Sequence, residues 1–251
     1  NHRETACCVI LLLMAFVASG YAIAAITTSM TRLEFLAGHS AQSFNTLNRY
    51  LLNYGISNRL AARVLRCVIH NMNEMKRSIP EDQVDMLQLL SKPLRLELDY
   101  EVNAPLLRSH PFFLQFDLAN PAAMRQICHK VVSHYTLGPS DVLFSPGECT
   151  STMYIVQRGK LVYIKTGLTK QVAAGQWAGE AALWTPWVHL GAMKASTACA
   201  LLCVNAVEFR TVAVSSSLNG EFYPGKYASK FVEWLNEVDE SALTDLALPE
   251  R

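Results

Sequence analysis

The chain has 251 residues, enough for one large domain or two small ones, and its 22 Lys and Arg residues against 21 Asp and Glu residues leave a net charge of +1. With no stripe of basic residues, this balance argues against nucleic acid as a partner. The seven cysteines contain no C-x-x-C pair, which fits a reducing compartment rather than a disulfide scaffold. The seven histidines form no metal-binding motif and no serine lies in a G-x-S-x-G turn, so we expect no metal site, no catalytic residue and no enzyme.

An apolar segment comes first in the chain. From Thr5 to Thr31 no side chain is charged, and about 20 apolar residues suffice to cross a bilayer. Two other interpretations stay open. One is a signal peptide, for which Arg3 and Ala22-Ile23-Ala24 supply a basic start and a cleavage-like site; the other is a buried helix of a soluble protein. We predict a membrane helix over residues 1–31.

Residues 32–109 show the apolar spacing of several short helices. Gly55 suits a helix end, and Ser57 can cap the helix that follows. Further helix starts are indicated at Pro80-Glu81-Asp82 and at Ser91-Lys92-Pro93. The short turns between these helices predict a packed helical layer rather than a flexible linker.

Short strands with tight turns are predicted from Asp141 to Phe209. The runs DVLFSPGE and MYIVQRGKLVYI are of β type, and a hairpin turn is predicted at Arg158-Gly159. A glycine-punctuated loop, GQWAGEAALW, covers Gly175 to Trp184 and changes into a short helical pattern, and the β-type run ALLCV follows. This order predicts a small closed β-roll with one short helix.

The Gly179-Glu180 turn in that loop has residue types that suit an anionic ligand. Backbone N–H groups at a helix start, with no side chain on Gly179, can hold a phosphate, and a neighbouring carboxylate can accept a hydrogen bond from a sugar hydroxyl. The alternative is a strand that ends in glycine, followed by a short helix in which Glu180 is merely favourable at the N-terminus.

The ordered set of residues through this region resembles the cyclic-nucleotide-binding domains. The positions that match the family in identity and spacing are Asp141, Gly147, Glu148, Met153, Tyr154, Ile155, Gly159, Gly175, Gly179, Glu180, Ala182 and Leu183. In that family the ligand-binding roles fall to the residues that match Gly179, Glu180 and Ala181, with Ala182 in the same turn.

One position departs from the family pattern. The family has its phosphate-binding arginine nine positions after the glutamate, and here that position is His189. Losing a charge-assisted, bidentate contact costs about 1.5–3 kcal/mol, or roughly ten- to a hundredfold in affinity. The resemblance therefore implies weak or lost binding of cyclic AMP and cyclic GMP, and His189→Arg is expected to strengthen it.

The end of the chain is predicted as a turn-rich stretch after Phe209, then a helix with Tyr227 and Phe231 on one apolar face. In the family a helix at this place closes over the pocket as a lid; the alternative is a helix that only seals the open side of the roll. Residues 239–251 are expected to form an exposed end.

The helical segment resembles the C-linker of voltage-gated channels, namely the ether-à-go-go-type potassium channels and their hyperpolarisation-activated and cyclic-nucleotide-gated relatives. The runs that carry this resemblance are TTSMTRLEFL, LNRYLLNYGISNRLAARVLRCVIH and LSKPLRLELDYEVNAPLLRSHPFF. In that superfamily the last pore helix continues into the linker, which joins the β-roll. A voltage-sensor helix and a selectivity-filter loop are expected before Asn1.

Together these predictions give an α+β chain: a transmembrane helix (1–31), an all-helical C-linker (32–109), a jelly-roll-like β-roll of cyclic-nucleotide-binding type (110–213), and a C-terminal helix and tail (214–251). The resemblance implies the gating region of a voltage-gated potassium or cation channel, a homo-tetramer assembled through the linker, with the residues after about 31 in the cytoplasm. The alternative is a membrane-anchored cyclic-nucleotide-binding regulator without a pore. No cofactor is expected, and a cyclic nucleotide is at most a weak ligand.

Overall fold

The computed structural model describes residues 2–77, 84–217 and 223–246. Over these residues the chain combines helices with antiparallel sheets, as expected for an α+β protein. It divides into two compact units, residues 1–65 and 66–251.

Helix α1 (His2–Asn53) contains the apolar segment and continues beyond it without a break. The part from Ile10 to Thr31 is 22 residues long with a mean hydropathy of 2.2, and none of it is buried by the rest of the described chain. Its hydroxyl groups bond to carbonyls within the same helix, as in Thr27 to Ile23 at 2.9 Å. By length and composition this helix can span a membrane.

The end of α1 and the start of α2 (Asn58–Arg77) have the predicted caps. Gly55 has a φ of +60° and its N–H donates to the Leu52 carbonyl at 3.1 Å. The Ser57 hydroxyl accepts from the Leu60 N–H at 3.4 Å. Both predictions are confirmed. The helix start expected at Pro80 lies outside the described residues.

Three helices and a π-helical turn lead into the sheets. Each helix has a proline in its first turn, where no N–H partner is needed. Side chains complete two of the caps: the His110 ring accepts from the Phe112 N–H at 3.2 Å and Asn120 from the Ala123 N–H at 3.0 Å. Their bounds are α3 (Lys92–Leu107), α4 (Pro111–Ala119), α5 (Pro121–Gln126) and the π-turn (Ile127–Val131).

Within the described residues, ten strands form three antiparallel sheets with the orders β1-β10-β4-β7, β2-β9-β5-β6 and β3-β8. The predicted turn between β4 and β5 is confirmed, with a φ of +94° at Gly159. A side chain there would collide with the backbone at Ala198, so only glycine fits. The strands are β1 (Val132–Leu137), β2 (Val142–Phe144), β3 (Cys149–Thr150), β4 (Thr152–Arg158), β5 (Lys160–Lys165), β6 (Leu168–Ala173), β7 (Trp177–Ala178), β8 (Trp187–Val188), β9 (Ala192–Ala195) and β10 (Cys199–Asn205).

Strand β10 is buried on both faces and separates two cores. Leu201 and Cys199 pack with side chains of both four-stranded sheets, including Phe144 and Leu161. Leu202 and Val204, which point the other way, pack against the helices, where the phenylalanines of α4 are fully buried. This explains why ALLCV is apolar throughout instead of alternating.

After β10 the chain is helical where we expected turns. The short helix α6 (Ala181–Trp184) lies between β7 and β8; α7 (Ala206–Ser217) and α8 (Pro224–Glu237) follow β10. The prediction of a turn-rich stretch after Phe209 is wrong up to Ser217. Asn205 caps α7 by accepting from the Val207 N–H at 2.9 Å. Ala206 and Phe209 are fully buried, and this burial outweighs the low helix propensity of the segment.

Candidate functional site

The candidate site is the turn between β7 and α6. Gly179 has a φ of +77°, and a Cβ there would lie 3.0 Å from the Thr152 carbonyl, so the position requires glycine. Its N–H, which the sequence offered for a phosphate, donates to the Asp245 carbonyl at 2.7 Å. The N–H of Ala182 donates to the Gly179 carbonyl at 3.1 Å, and the side chains of Ala181 and Ala182 are buried.

Glu180 is buried and both of its carboxylate oxygens have protein partners. Oε2 accepts from the Trp177 indole at 3.1 Å and lies 3.1 Å from Nε2 of His110, while Oε1 accepts from the Tyr227 hydroxyl at 2.9 Å. Because Tyr227 belongs to α8 and His110 caps α4, this carboxylate fastens two helices to the β7–α6 turn.

The protonation states in this network follow from its hydrogen bonds. Nδ1 of His110 accepts from the Phe112 N–H, so the ring proton lies on Nε2, which faces Glu180. Burial would raise the pKa of Glu180, but the contacts with His110, Tyr227 and Trp177 outweigh burial and hold that pKa below its ordinary value. Burial, with the charge of Glu180, raises the pKa of Tyr227, so its hydroxyl keeps the proton that it donates. Glu180 is therefore an ionised acceptor.

His189 follows β8 and is 2% exposed. Its ring stacks on Phe144 with centroids 3.6 Å apart and planes 2° apart. Its Nδ1 lies 3.0 Å from Oδ1 of Asp245. His189 thus faces an anionic group, and that group belongs to the same chain.

Asp245 is the buried residue of the candidate site that the sequence analysis missed. Its carboxylate is buried and accepts from five donors, three on Oδ2 and two on Oδ1. On Oδ2 they are the Tyr163 hydroxyl at 2.8 Å, the Leu190 N–H at 2.9 Å and the Gly191 N–H at 2.9 Å; on Oδ1 they are the Trp187 indole at 2.8 Å and His189 at 3.0 Å.

The charge of Asp245 follows from the same contacts. Burial would raise its pKa, but the hydrogen bonds from His189, Trp187, Tyr163 and Gly191 outweigh burial and lower the pKa below its ordinary value. An ionised carboxylate can only accept, so Nδ1 of His189 carries a proton and donates. Burial is the main cause that raises the pKa of Tyr163, which keeps its hydroxyl a donor.

Asp245 lies in a segment that we call the strap, residues 239–246. Leu246 pairs with Ala178 in an isolated antiparallel bridge, next to the bond from Gly179 to Asp245. The Lys165 ammonium donates to three strap carbonyls, those of Glu240, Ser241 and Leu243. Tyr163 and Lys165, two residues apart on β5, therefore hold the strap at two points.

The expectation of an exposed chain end holds for residues 239–242 but is wrong for Asp245 and Leu246, which are 3% and 8% exposed. Residues 247–251 lie outside the described residues. Of the predicted site residues, Gly179 and His189 come together on Asp245, whereas the Glu180 carboxylate has its partners in the separate network with α4 and α8. The sequence carried little signal for this segment: Leu243 and Leu246 are apolar, but Thr244 and Asp245 between them are both polar.

Among the described residues there is no cluster of three or more His, Cys, Asp or Glu side chains that could hold a metal ion. Neither a scan against models of known protein families nor a search of curated proteins found a match to this chain.

Proposed function

We propose that this chain is the C-terminal gating region of a voltage-gated potassium or cation channel, in which a β-roll of cyclic-nucleotide-binding type couples to the pore without needing a nucleotide. The observation that carries the proposal is helix α1, which continues without a break from the apolar segment through Asn53. A pore helix that continues into a cytoplasmic linker requires this arrangement. The resemblance of the linker and roll sequences supplies the channel context.

The strap supports the proposal that no nucleotide is needed. The position expected to hold a phosphate is next to an ionised carboxylate, and a phosphate there would meet a like charge in a buried site. A cyclic nucleotide would also have to replace five hydrogen bonds to Asp245. The roll is therefore proposed as a self-occupied coupler, with cyclic AMP and cyclic GMP at most weak ligands.

Two contacts can carry a movement of the roll into the helices before it. Asp117 of α4 accepts from Tyr100 of α3 at 3.0 Å and pairs with Arg108 at 2.6 Å. The buried Asn103 of α3 donates to the Cys128 carbonyl in the π-turn at 3.3 Å. In the proposed mechanism α3 moves with the roll, and the linker biases the membrane helix toward the open or the closed state.

The experiment is to express the full chain in cells and to extract the membranes with carbonate, then with detergent. We expect the chain to resist carbonate, to keep residues 32–251 accessible from the cytoplasm, and to give a four-rung cross-linking ladder in detergent. A variant with polar residues replacing Leu11, Leu12 and Leu13 is the control and should become extractable. Recovery of uncleaved wild-type chain in the soluble pool contradicts the membrane helix, and a monomer contradicts the channel.

A membrane-anchored regulator without a pore is the second candidate, because the exposed apolar helix would serve it equally. It predicts carbonate resistance without the tetramer. The transcript upstream of Asn1 separates the two directly, since a channel requires a selectivity-filter loop and an arginine-repeat helix there.

A further inference from the structure

The pocket around Asp245 retains only half of what a cyclic nucleotide needs. The anion half is complete, with two backbone N–H groups and three side-chain donors on one carboxylate. The sugar half is absent, because both oxygens of Glu180 are used by Trp177, Tyr227 and His110. What remains is a set of five donors that converge on one small anionic group.

The donors are arranged for a planar anion. Trp187 and His189 reach one oxygen, while Tyr163, Leu190 and Gly191 reach the other, so the two edges of a flat carboxylate are both filled. Stacking on Phe144 fixes the plane of the His189 ring, which keeps Nδ1 aimed at Oδ1. None of the five donors is lysine or arginine, the side chains that phosphate sites use for charge.

We propose that this pocket is a carboxylate-binding site, filled in the intact chain by Asp245, and that it accepts a small free carboxylate when that side chain is removed. The inference rests on the self-occupied roll proposed above and names its ligand class: a carboxylate rather than a cyclic phosphate. The backbone donors keep their positions without Asp245, because Leu190 and Gly191 lie between β8 and β9 in the antiparallel sheets.

The test is chemical rescue in the full chain, purified in detergent. Asp245→Ala leaves room for formate and Asp245→Gly leaves room for acetate, so each variant has a ligand of matched size. The measurement is amide hydrogen exchange of residues 190 and 191, whose N–H groups contact the carboxylate. Sodium chloride at equal ionic strength is the reference, and Asp239→Ala, an exposed acid of the same strap, is the matched control variant.

We expect Asp245→Ala to exchange these two amides at least tenfold faster than the wild type. Formate at 0.2 M should slow the exchange about fivefold, as mass action gives for a dissociation constant of about 50 mM. Wild type and Asp239→Ala should not respond. Inorganic phosphate and cyclic AMP at their highest soluble concentrations should leave the exchange of Asp245→Ala unchanged.

Protection by phosphate or cyclic AMP but not by formate, or faster exchange in Asp245→Ala that formate does not slow, overturns the carboxylate assignment and leaves the self-occupied roll intact. Unchanged exchange in Asp245→Ala overturns the self-occupied roll itself. If the alanine variant does not fold, Asp245→Asn keeps the shape of the side chain and fills the space: faster exchange without any formate response supports the proposal, and a formate response contradicts it.

Discussion

Two buried carboxylates organise this protein, and their side-chain partners are of the same types. Glu180 and Asp245 each contact one histidine, one tryptophan and one tyrosine, and the pKa of each carboxyl group is lowered by those contacts despite burial. Asp245 differs in receiving two backbone N–H groups as well. Glu180 depends wholly on side chains, which come from the cap of α4, from β7 and from α8.

The difference separates two roles. We call Glu180 a fastening, because it joins neighbouring elements, and we call the site that Asp245 fills a receptor. A carboxylate held only by side chains of three elements ties those elements together, and its loss leaves all of them without a partner. A carboxylate held partly by a fixed backbone occupies a site that exists without it. The Glu180 network thus joins α4 and α8 to β7, while the Asp245 pocket holds the strap. We expect that pocket to be vacated without unfolding of the rest of the chain.

The largest effect is expected for Glu180→Ala. It removes the acceptor of the partly buried Trp177 and Tyr227 donors and the anion beside the fully buried His110 ring, at about 1–3 kcal/mol for each contact and about 3–5 kcal/mol together, allowing for relaxation. For a chain of this size that loss lowers the melting temperature by roughly 8–15 °C. Thermal melting of the full chain in detergent measures it.

Asp245→Ala is the matched comparison for that experiment. The strap can detach without global unfolding, so its loss costs no more than the docking free energy of residues 239–246 and should shift the melting temperature less. Hydrogen exchange should also separate the two, with faster exchange in α8 for Glu180→Ala and in the strap for Asp245→Ala. Equal shifts with the same exchange pattern would contradict the division into a fastening and a receptor.

A smaller effect, on the binding of cyclic nucleotides, is expected for His189→Arg. From the sequence alone we expected this single change to strengthen binding, and the position of Asp245 changes that prediction. With Asp245 present, the new guanidinium pairs with the strap, so binding of cyclic AMP and cyclic GMP at pH 7 stays undetected. In the Asp245→Ala background the same change should lower the dissociation constant about ten- to a hundredfold. Calorimetry on the four variants of this cycle measures it; a gain in the single His189→Arg variant would show that the strap does not occupy the pocket.

The smallest effect is expected in the pH dependence of the free energy of unfolding at acid pH. Both Glu180 and Asp245 should contribute to it. Their folded pKa values are lower than the ordinary 4.5 of Glu180 and 3.8 of Asp245, so their stabilisation is complete above those values. It is lost as the pH falls through the lowered pKa values, because protonation then favours the unfolded chain. Between pH 5 and pH 8 these two groups should give no slope.

Glu180→Gln and Asp245→Asn each remove one titrating group, which lowers the slope below pH 4.5 by at most about 1.4 kcal/mol per pH unit. Denaturant titrations between pH 3 and pH 6 measure the slope, with Asp239→Asn as an exposed control. An unchanged acid slope in both core variants would contradict the lowered pKa values.

The sequence predicted the parts of the fold that local residues specify. Gly55, Ser57 and Gly159 mark a helix end, a cap and a hairpin turn, each of which is formed by residues adjacent in the sequence. The helix after Phe209 was missed because its stability comes from burial of Ala206 and Phe209 in a distant core. Local propensity carries no information about that partner.

The site was less predictable for a physical reason. Gly179 and His189 could be singled out by spacing, but the direction of the Glu180 side chain depends on His110 and Tyr227, which are 70 and 47 positions away. The strap contacts β5 across about eighty residues through Tyr163. A short segment gains its structure from such contacts, so its own eight residues could not reveal it.

Helix α1 has a mechanical consequence beyond its length. From Thr31 to Asn53 it continues for 22 residues, or about 33 Å at 1.5 Å per residue. Its backbone hydrogen bonds leave no joint in that stretch, so it acts as a stiff rod with a fulcrum at the edge of the apolar segment. A tilt of about 5° there displaces the far end by about 3 Å, so a push at Asn53 turns the helix about Thr31 with a lever arm of about 33 Å. Two glycines inserted between Thr31 and Asn53 would let the helix bend there, and less of the movement at Asn53 would reach Thr31.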